Sequence, residues 1–383
     1  MDKRHMRTIP AAILILLMLG AAVFPAAGAQ MPVQDTEVDE LTEVTMRALV
    51  LAVEERPVTD QFYQTQWVTI EIYTGSLKGT VMTVENHLSD HPVYDIPVEP
   101  GDRVLVIQEE YAPEETEFYI IDYVRDTTIL WIVLLFLAML LIIGRWKGFK
   151  TILTLALTFF MIIRVLLPGL LNGYPPIPLT IGVSFVITLV TIILINGINV
   201  KSMAAVAGIF GGLLAAGVVM FIVGSQVRLT GMSSEEAIML LYIPQAVSFD
   251  FRDLLFAGII MGALGAVMDV GISIASSITE IYRVNPEITS RRLMISGMNV
   301  GRDIMTTMSN TLILAYTGAA LPLLLLFMAY GTPAVRILNM DLIATEIVRA
   351  LSGSIGLLLT IPLTVVVSVF LLKRAPESFK KTT

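Results

Sequence analysis

The sequence contains no cysteine and only three histidines, His5, His87 and His91, all of which precede the long apolar segments. Without cysteine the chain forms no disulfide, and it has no thiol for catalysis or for an iron–sulfur or zinc site. Without histidine in the apolar region, an imidazole metal site is excluded there as well. Chemistry within that region must therefore use oxygen atoms, methionine sulfur or arginine.

Charge is also scarce. Only 15% of the residues are charged, 55% are hydrophobic, and the mean hydropathy is +0.77. This composition is too apolar for a soluble protein and predicts a lipid bilayer as the main partner of the chain. The net charge of −8 gives no basic field for nucleic acid.

The first 29 residues have the pattern of a secretory signal. A basic start is followed by an apolar run over 9–24 and by Ala-Gly-Ala at 27–29. The rival interpretation is an uncleaved anchor helix. Because the apolar run is short and ends at a proline and small residues, we favour a cleaved signal peptide over 1–29.

Residues 30–126 are polar and alternate in hydropathy, which predicts a small β-rich domain. Strand-like runs occur at 44–53, 66–73, 80–86, 103–108 and 117–124. Five short strands suit a small barrel of the OB or SH3 kind. Because the segment is acidic and follows an export signal, we expect an extracytoplasmic interaction or gating module and no nucleic-acid site.

Residues 127–372 carry about seven apolar runs of the length of a membrane-spanning helix, which predicts a polytopic helical bundle. These runs are 127–144, 150–171, 178–198, 203–224, 253–277, 303–330 and 350–372. Gly318 and Pro322 predict a break in the sixth run. Residues 373–383 form a polar tail.

The distribution of lysine and arginine predicts the orientation. With residues 30–126 outside, the cytoplasmic loops and tail hold twelve basic residues, whereas the outer loops at 225–252 and 332–349 hold four. This asymmetry satisfies the positive-inside rule and places the C-terminus in the cytoplasm.

The fifth span contains a lone carboxylate, Asp269, among about 25 apolar or small residues. At 100° per residue it shares one helical face with small and polar neighbours, namely Gly262, Gly265, Ser273, Ser276 and Glu280. The sixth span has a comparable polar face, formed by Asp303, Thr306, Thr307, Asn310 and Thr317. We expect two antiparallel helices to turn these faces toward each other.

A carboxylate at the bilayer centre costs about 2.5–3.5 kcal/mol on insertion scales, so Asp269 is a functional-site candidate. In one interpretation Asp269 binds a proton or cation, with Ser273, Ser276, Thr307 and Asn310 as neutral oxygen ligands. Such oxygens suit Na⁺, K⁺, Mg²⁺, Mn²⁺ or H⁺ better than zinc or copper. In the other interpretation the carboxylate is structural and is hydrogen-bonded to Ser, Thr or Asn.

Two further charges near the sixth span admit two interpretations. Arg302 and Asp303 form either a local ion pair with a helix cap or a gate that faces Glu280. Arg164 is the other full charge inside a span. It lies about 9 Å from Asp269 along the membrane normal by helical rise, so we expect it to extend toward the outer interface.

Small residues and methionines have simpler interpretations. Glycines at 208, 211, 212 and 217 in the fourth span and at 258, 262 and 265 in the fifth favour close helix packing over contact with a substrate. Met261, Met268, Met305 and Met308 lie near the polar face, and one interpretation of them is a set of sulfur ligands for Cu(I). Methionine also fills irregular cores, and that role is the favoured one.

The chain lacks the motifs of common enzymes. HExxH, GxSxG and the P-loop are absent, and an intramembrane aspartyl protease needs a second deep carboxylate. We therefore predict a protein that is not an enzyme and has no cofactor.

A secondary transporter of a cation or small solute is the main prediction. A homo-oligomer is one arrangement that the sequence leaves open. The alternative is a non-transporting assembly or sensory factor whose outer domain binds a partner.

Three motifs of the apolar region resemble a known family. MDVGISIASS (268–277), GRDIMTTMSNTLILAYTG (301–318) and DLIATEIVRALSGSIGLLLTIPLT (341–364) resemble the YibE/F-like bacterial membrane proteins. The resemblance implies a multi-pass protein of the bacterial cytoplasmic membrane and names no substrate. It also implies a small residue where this chain has Thr306, which makes Thr306 a weaker ligand candidate than Asn310 or Asp269.

Overall fold

The computed structural model describes residues 44–57, 64–89, 95–112, 115–243 and 248–374. The predicted signal peptide over 1–29 and the end of the polar tail lie outside these residues. The described residues divide into two compact units, one that ends at Met139 and a second that begins at Leu140. Each unit is described by itself.

The first unit contains a five-stranded antiparallel sheet, and each strand coincides with one of the predicted runs. The strands are β1 (Val44–Pro57), β2 (Gln64–Ile72), β3 (Val81–Leu88), β4 (Arg103–Ala112) and β5 (Glu115–Tyr123). Their order in the sheet is β3-β2-β1-β4-β5. The two edge strands, β3 and β5, contact each other, so the sheet curls into a half-barrel.

The alternating sequence explains the core of this unit. Side chains two residues apart point to the same face of a strand, and buried residues recur at that interval, as in Val68, Ile70 and Ile72. Strand β1 has a register shift between Val50 and Ala52. Such a bulge bends a strand and increases its twist, which favours the curl of the sheet.

The remaining described residues are mainly helical. The helices are α1 (Asp126–Met161), α2 (Leu167–Leu171), α3 (Pro176–Asn196), α4 (Val200–Gln226), α5 (Glu235–Met239), α6 (Phe251–Val284), α7 (Ser290–Ala319), α8 (Leu321–Ala329), α9 (Ala334–Leu338) and α10 (Asp341–Arg374). A π-helical turn, Ile162–Leu166, joins α1 to α2. The fold class is therefore the predicted one, a mainly helical protein with a small β-rich N-terminal domain.

Five helical runs of the described residues are long and apolar enough to cross a membrane, and there are six if the bent pair of α7 and α8 is one span. Helices α7 and α8 meet at an angle of 59°, at the break that Gly318 and Pro322 suggest. The sequence predicts about seven spans because 127–144 and 150–171 count as two. In the structure these two runs belong to one helical run of 46 residues, Asp126–Leu171, which lowers the count.

That long run is interrupted at Arg145, where the backbone leaves the helical region with φ 47° and ψ −124°. A methyl group on Gly148 would overlap the carbonyl oxygen of Leu140. In a straight helix these two residues would be about 12 Å apart. The run therefore consists of two helical segments with a sharp change of direction between them.

Helix α6 lies at the centre of the second unit and contacts α3, α4, α7 and α10. Its buried face consists of apolar residues at helical spacing, among them Ile260, Val267 and Ile274. The tightest packing in the unit joins α4 to α10. There, methyl groups on Gly208 and Gly212 would overlap Thr364 Oγ1 and Thr360 Oγ1, so the α4 glycines serve close packing, as predicted.

Candidate functional site

Asp269 lies on an exposed stripe of α6, which we call the α6 groove. The groove consists of Gly258, Gly262, Gly265, Asp269 and Ser273, all of which are exposed in the single chain. The opposite side of the helix is buried against the bundle. The predicted clustering of small and polar residues on one face of this helix is therefore present in the structure.

The groove is open. Methyl groups added to Gly258 or Gly265 would meet no atom within 4 Å, and one on Gly262 would meet only Tyr316 Oη, at 3.6 Å. Within the described residues the Asp269 carboxylate has no hydrogen bond and no ion pair. The alternative of a structural carboxylate bonded to Ser, Thr or Asn therefore has no contact in one chain to support it.

The polar face of α7 does not point into this groove. Met305, Met308 and Leu312 recur at intervals of three and four residues and pack against the core of the bundle. Thr307 and Asn310 lie on the other side and are exposed. This arrangement corrects the expectation that the two polar faces meet. Periodicity locates both faces of α7, but the bundle buries the one that carries the larger apolar side chains.

Most hydroxyl groups on the exposed side of α7 bond to their own helix. Thr306 Oγ1 donates to the Arg302 carbonyl at 3.2 Å, and Thr307 Oγ1 donates to the Ile304 carbonyl at 3.0 Å. Bonds of this kind satisfy a hydroxyl without a neighbouring helix. Asn310 differs, because its amide has no partner within the described residues.

Ser273 follows Asp269 by four positions and is its neighbour on the same face of α6, whereas Ser276 follows by seven positions, about 10.5 Å along the helix. Ser273 is exposed and Ser276 is half-buried. Of the predicted ligand set, the structure therefore places Ser273 next to Asp269 and Ser276 one turn further along the same face, and it places Thr307 and Asn310 elsewhere in a single chain.

The predicted gate residues do not contact one another. Glu280 pairs with Arg283 at 2.6 Å, and Arg302 donates to Asn299 Oδ1 at 2.9 Å, each within its own helix. Asp303 is exposed, and it is not a helix cap. Helix α7 begins at Ser290, and its cap is Thr289, whose side chain accepts from the Arg292 N–H.

Arg164 lies in the π-helical turn and is exposed. It has no ion pair within the described residues, so Arg164 and Asp269 are not a salt bridge in the structure.

The methionines considered as a sulfur site have a packing role, because Met261, Met268, Met305 and Met308 all line the apolar core. The described residues contain no group of three or more His, Asp or Glu side chains that could hold a metal.

One polar feature of the structure was not predicted from the sequence. Helix α3 has a row of buried hydroxyl groups at Thr180, Ser184, Thr188 and Thr191. Ser184 Oγ lies 4.0 Å from Met261 Sδ, so the row faces α6. The hydroxyls of the three threonines have no hydrogen-bond partner within the described residues. The spacing of 180, 184 and 188 at four-residue intervals is the signal that could have identified this row.

The fold and the site define a class of protein, a mainly helical protein with five candidate membrane-spanning helices, an N-terminal β domain and, on one long helix, an acid without a partner among the described residues. Family models then identify it further. Residues 132–374 match the model of the YibE/F-like protein family, and residues 39–123 match the model of the YibE/F family N-terminal domain. The chain belongs to the YibE/F-like family, as its motifs predict. No curated protein and no solved structure matches the chain.

Proposed function

We propose that this protein is a secondary transporter of a cation or small solute, and not an enzyme, in the bacterial cytoplasmic membrane. In this proposal the Asp269 carboxylate binds the proton or cation. The N-terminal β domain lies outside the cytoplasm and the C-terminus inside. The excess of lysine and arginine in the loops assigned to the cytoplasm supports this orientation.

The observation that carries the proposal is the environment of Asp269. Its carboxylate lies midway along a 34-residue apolar helix, on an open groove, without a partner within the described residues. An acid at membrane depth costs about 2.5–3.5 kcal/mol on insertion scales. No contact within the described residues offsets that cost, which favours reversible binding of a proton or cation.

The groove also favours a particular kind of ligand. The polar group next to Asp269 on this face is the hydroxyl oxygen of Ser273, and the glycines on the same face leave space for a hydrated ion. Oxygen ligands and a single carboxylate suit H⁺, Na⁺, K⁺, Mg²⁺ or Mn²⁺. Soft metals prefer thiolate or thioether sulfur, whereas the apolar region contains no cysteine and the methionines near Asp269 pack against the core.

The test compares Asp269→Asn with the wild-type protein in liposomes. Gradients of H⁺, Na⁺, K⁺, Mg²⁺ and Mn²⁺ are imposed one at a time, and ion flux is measured. We expect flux of one of these ions in the wild type and none in Asp269→Asn. Glu287→Gln is the matched control, because it also removes one acid but lies in the exposed turn before α7. Full flux in Asp269→Asn would exclude the proposed role.

A binding measurement supports the flux assay. A ligand present at 100 times its Kd stabilises the folded state by about 2.7 kcal/mol. The transported ion should therefore raise the melting temperature of the purified wild-type protein and leave that of Asp269→Asn unchanged. Equal stabilisation of both proteins would place the ion at another site.

The exposed polar face of α7 favours a second function, that of an assembly or sensory factor. Thr307 and Asn310 are exposed on the outside of the single chain, as in a membrane scaffold that holds another protein. In this alternative the protein is an assembly or sensory factor and the β domain binds the partner. Deletion of residues 30–125 separates the two functions, because a transporter would keep its ion flux whereas a scaffold would lose its activity.

A further inference from the structure

Two polar side chains at membrane depth are open to lipid in the single chain. Asp269 on α6 and Asn310 on α7 are both exposed, and neither has a partner within the described residues. A carboxylate and a primary amide are among the groups that a hydrocarbon environment disfavours most. Each therefore needs a partner that the described part of one chain does not supply.

The two side chains lie at nearly the same depth. Helices α6 and α7 are antiparallel, with Gly262 facing Tyr316 at one contact and Ile274 facing Gly301 at another. Halfway between these contacts are residue 268 on α6 and residues 308–309 on α7, because both helices rise by about 1.5 Å per residue. Asp269 and Asn310 are thus within about one turn of each other along the membrane normal.

Within one chain they do not meet, because Asn310 is on the side of α7 that faces away from the bundle. A second copy of the chain can bring Asn310 to Asp269. Rotation about a twofold axis along the membrane normal keeps every residue at its depth and brings α6 of one copy to α7 of the other. We propose that the protein forms such a dimer and that the α6 groove of each copy receives the outer face of α7 of its partner.

The surfaces are complementary in shape and in hydrogen bonding. The glycines of the groove leave the space that close helix contact in membranes requires. The Asn310 amide can donate to an ionised Asp269, and its carbonyl can accept from a protonated one. The two copies form two such pairs, so the carboxylate and the amide of each copy both gain a hydrogen-bond partner.

This dimer would also complete the proposed cation site. Thr307 and Asn310, which a single chain holds away from Asp269, would join Ser273 around the carboxylate from the partner copy. That part of the inference rests on the proposed function. The interface itself does not, because it follows from the exposed groups, their depth and the open groove.

The absence of cysteine makes cross-linking a direct test. Gly265→Cys is introduced into a copy with one tag and Leu314→Cys into a copy with another tag, and the two are expressed together. Position 265 is open, and Leu314 is 60% exposed on the same side of α7 as Asn310. The contact register places these two positions at similar depth. We expect a cross-linked product that carries both tags.

The control pair is Leu351→Cys with Leu314→Cys. Leu351 is 51% exposed on α10, and the contacts of Gly297 with Val365 and of Gly301 with Ile361 place it near the depth of Leu314. We expect at least tenfold less product from this pair. No mixed product from Gly265→Cys, or equal product from the control, would overturn the inference.

A second measurement separates this inference from the proposed function. Subunit counting in lipid vesicles should show dimers of the wild type and at least tenfold weaker association of Asn310→Leu. If dimers form through the groove but Asp269→Asn keeps full ion flux, the transport proposal fails and the interface stands. If flux requires Asp269 but the protein is monomeric, the interface fails and the transport proposal stands.

Discussion

Helices α4 and α6 carry similar glycine patterns but use them differently. The α4 glycines at 208 and 212 are covered by α10 so closely that a methyl group would overlap a threonine hydroxyl. The α6 glycines at 258 and 265 face open space. A spacing of four residues between small side chains therefore identifies a surface made for close approach. It does not tell which surface is already occupied within the chain.

The neighbouring residues give the difference a physical basis. On α4 the glycines are flanked by buried apolar side chains, including Ile209 and Leu213, so that face is held in the core. On α6 the glycines share their face with Asp269 and Ser273, which the core does not accept. Closed and open glycine faces should therefore respond in opposite ways to substitution.

The largest expected effect is that of a bulky side chain on the closed face. Gly212→Val should lower the free energy of unfolding by about 3 kcal/mol or more, because overpacking forces α4 away from α10. Gly265→Val, on the open face, should leave it unchanged or raise it by up to about 0.5 kcal/mol, because valine has a higher helix propensity than glycine. Thermal unfolding of both variants in detergent measures the difference. Equal losses would show that the two faces are alike.

A smaller substitution with a rescue tests the contact itself. Gly208→Ala should cost about 1–3 kcal/mol, since the new methyl group meets Thr364. Combination with Thr364→Ala should recover part of that loss, and a double-mutant cycle gives the coupling between the two positions. Simple additivity of the two changes would mean that the cost has another origin.

Removal of hydroxyl groups from the two faces should have small and different effects. Thr364 Oγ1 is buried and has no hydrogen-bond partner within the described residues. Thr364→Val keeps the shape and should stabilise the protein by up to about 1 kcal/mol. Ser273→Ala, on the open face, should change stability by less than about 0.5 kcal/mol. A clear loss in Thr364→Val would indicate a partner, such as water, on the closed face.

The smallest expected effect comes from a comparison of two acids, Asp269, which has no partner within the described residues, and Asp122, which is hydrogen-bonded. In the β domain, the hydrogen bond from Arg125 to Asp122, together with the Tyr123 N–H, lowers the pKa of Asp122. Its contribution is present above the unfolded pKa of about 3.9 and is lost as the pH falls through the lower pKa of the folded state. Asp122→Asn should cost less than about 1 kcal/mol, since the pair is exposed.

Asp269→Asn, by contrast, should leave the stability of the monomer in detergent unchanged or raise it, because no bond within the described part of the chain is lost. Unfolding of both variants at pH 7, followed by circular dichroism, measures the contrast. A loss of stability in monomeric Asp269→Asn comparable to that of a buried pair would show that the acid has a structural partner within its own chain.

Much of the fold could be predicted because hydropathy has different periods in strands and helices. Alternation located all five strands, and the stripe around Asp269 identified the polar face of α6. The direction of the α7 polar face could not be predicted. That helix has methionines on one side and threonines on the other, and periodicity does not say which side meets α6. The start of α7 at Ser290 was also missed, because its first turns are too polar for a search based on apolar runs.

Helix α7 has buried residues only in its first half, at Leu293, Gly297 and Gly301. The 18 residues that follow, about 27 Å of helix, are attached to the bundle by partly buried side chains alone. A tilt of about 20° of this segment about Gly301 would displace its far end by about 9 Å. Such a tilt would move Tyr316 Oη, the α7 atom that borders the α6 groove at Gly262, without unfolding a single turn.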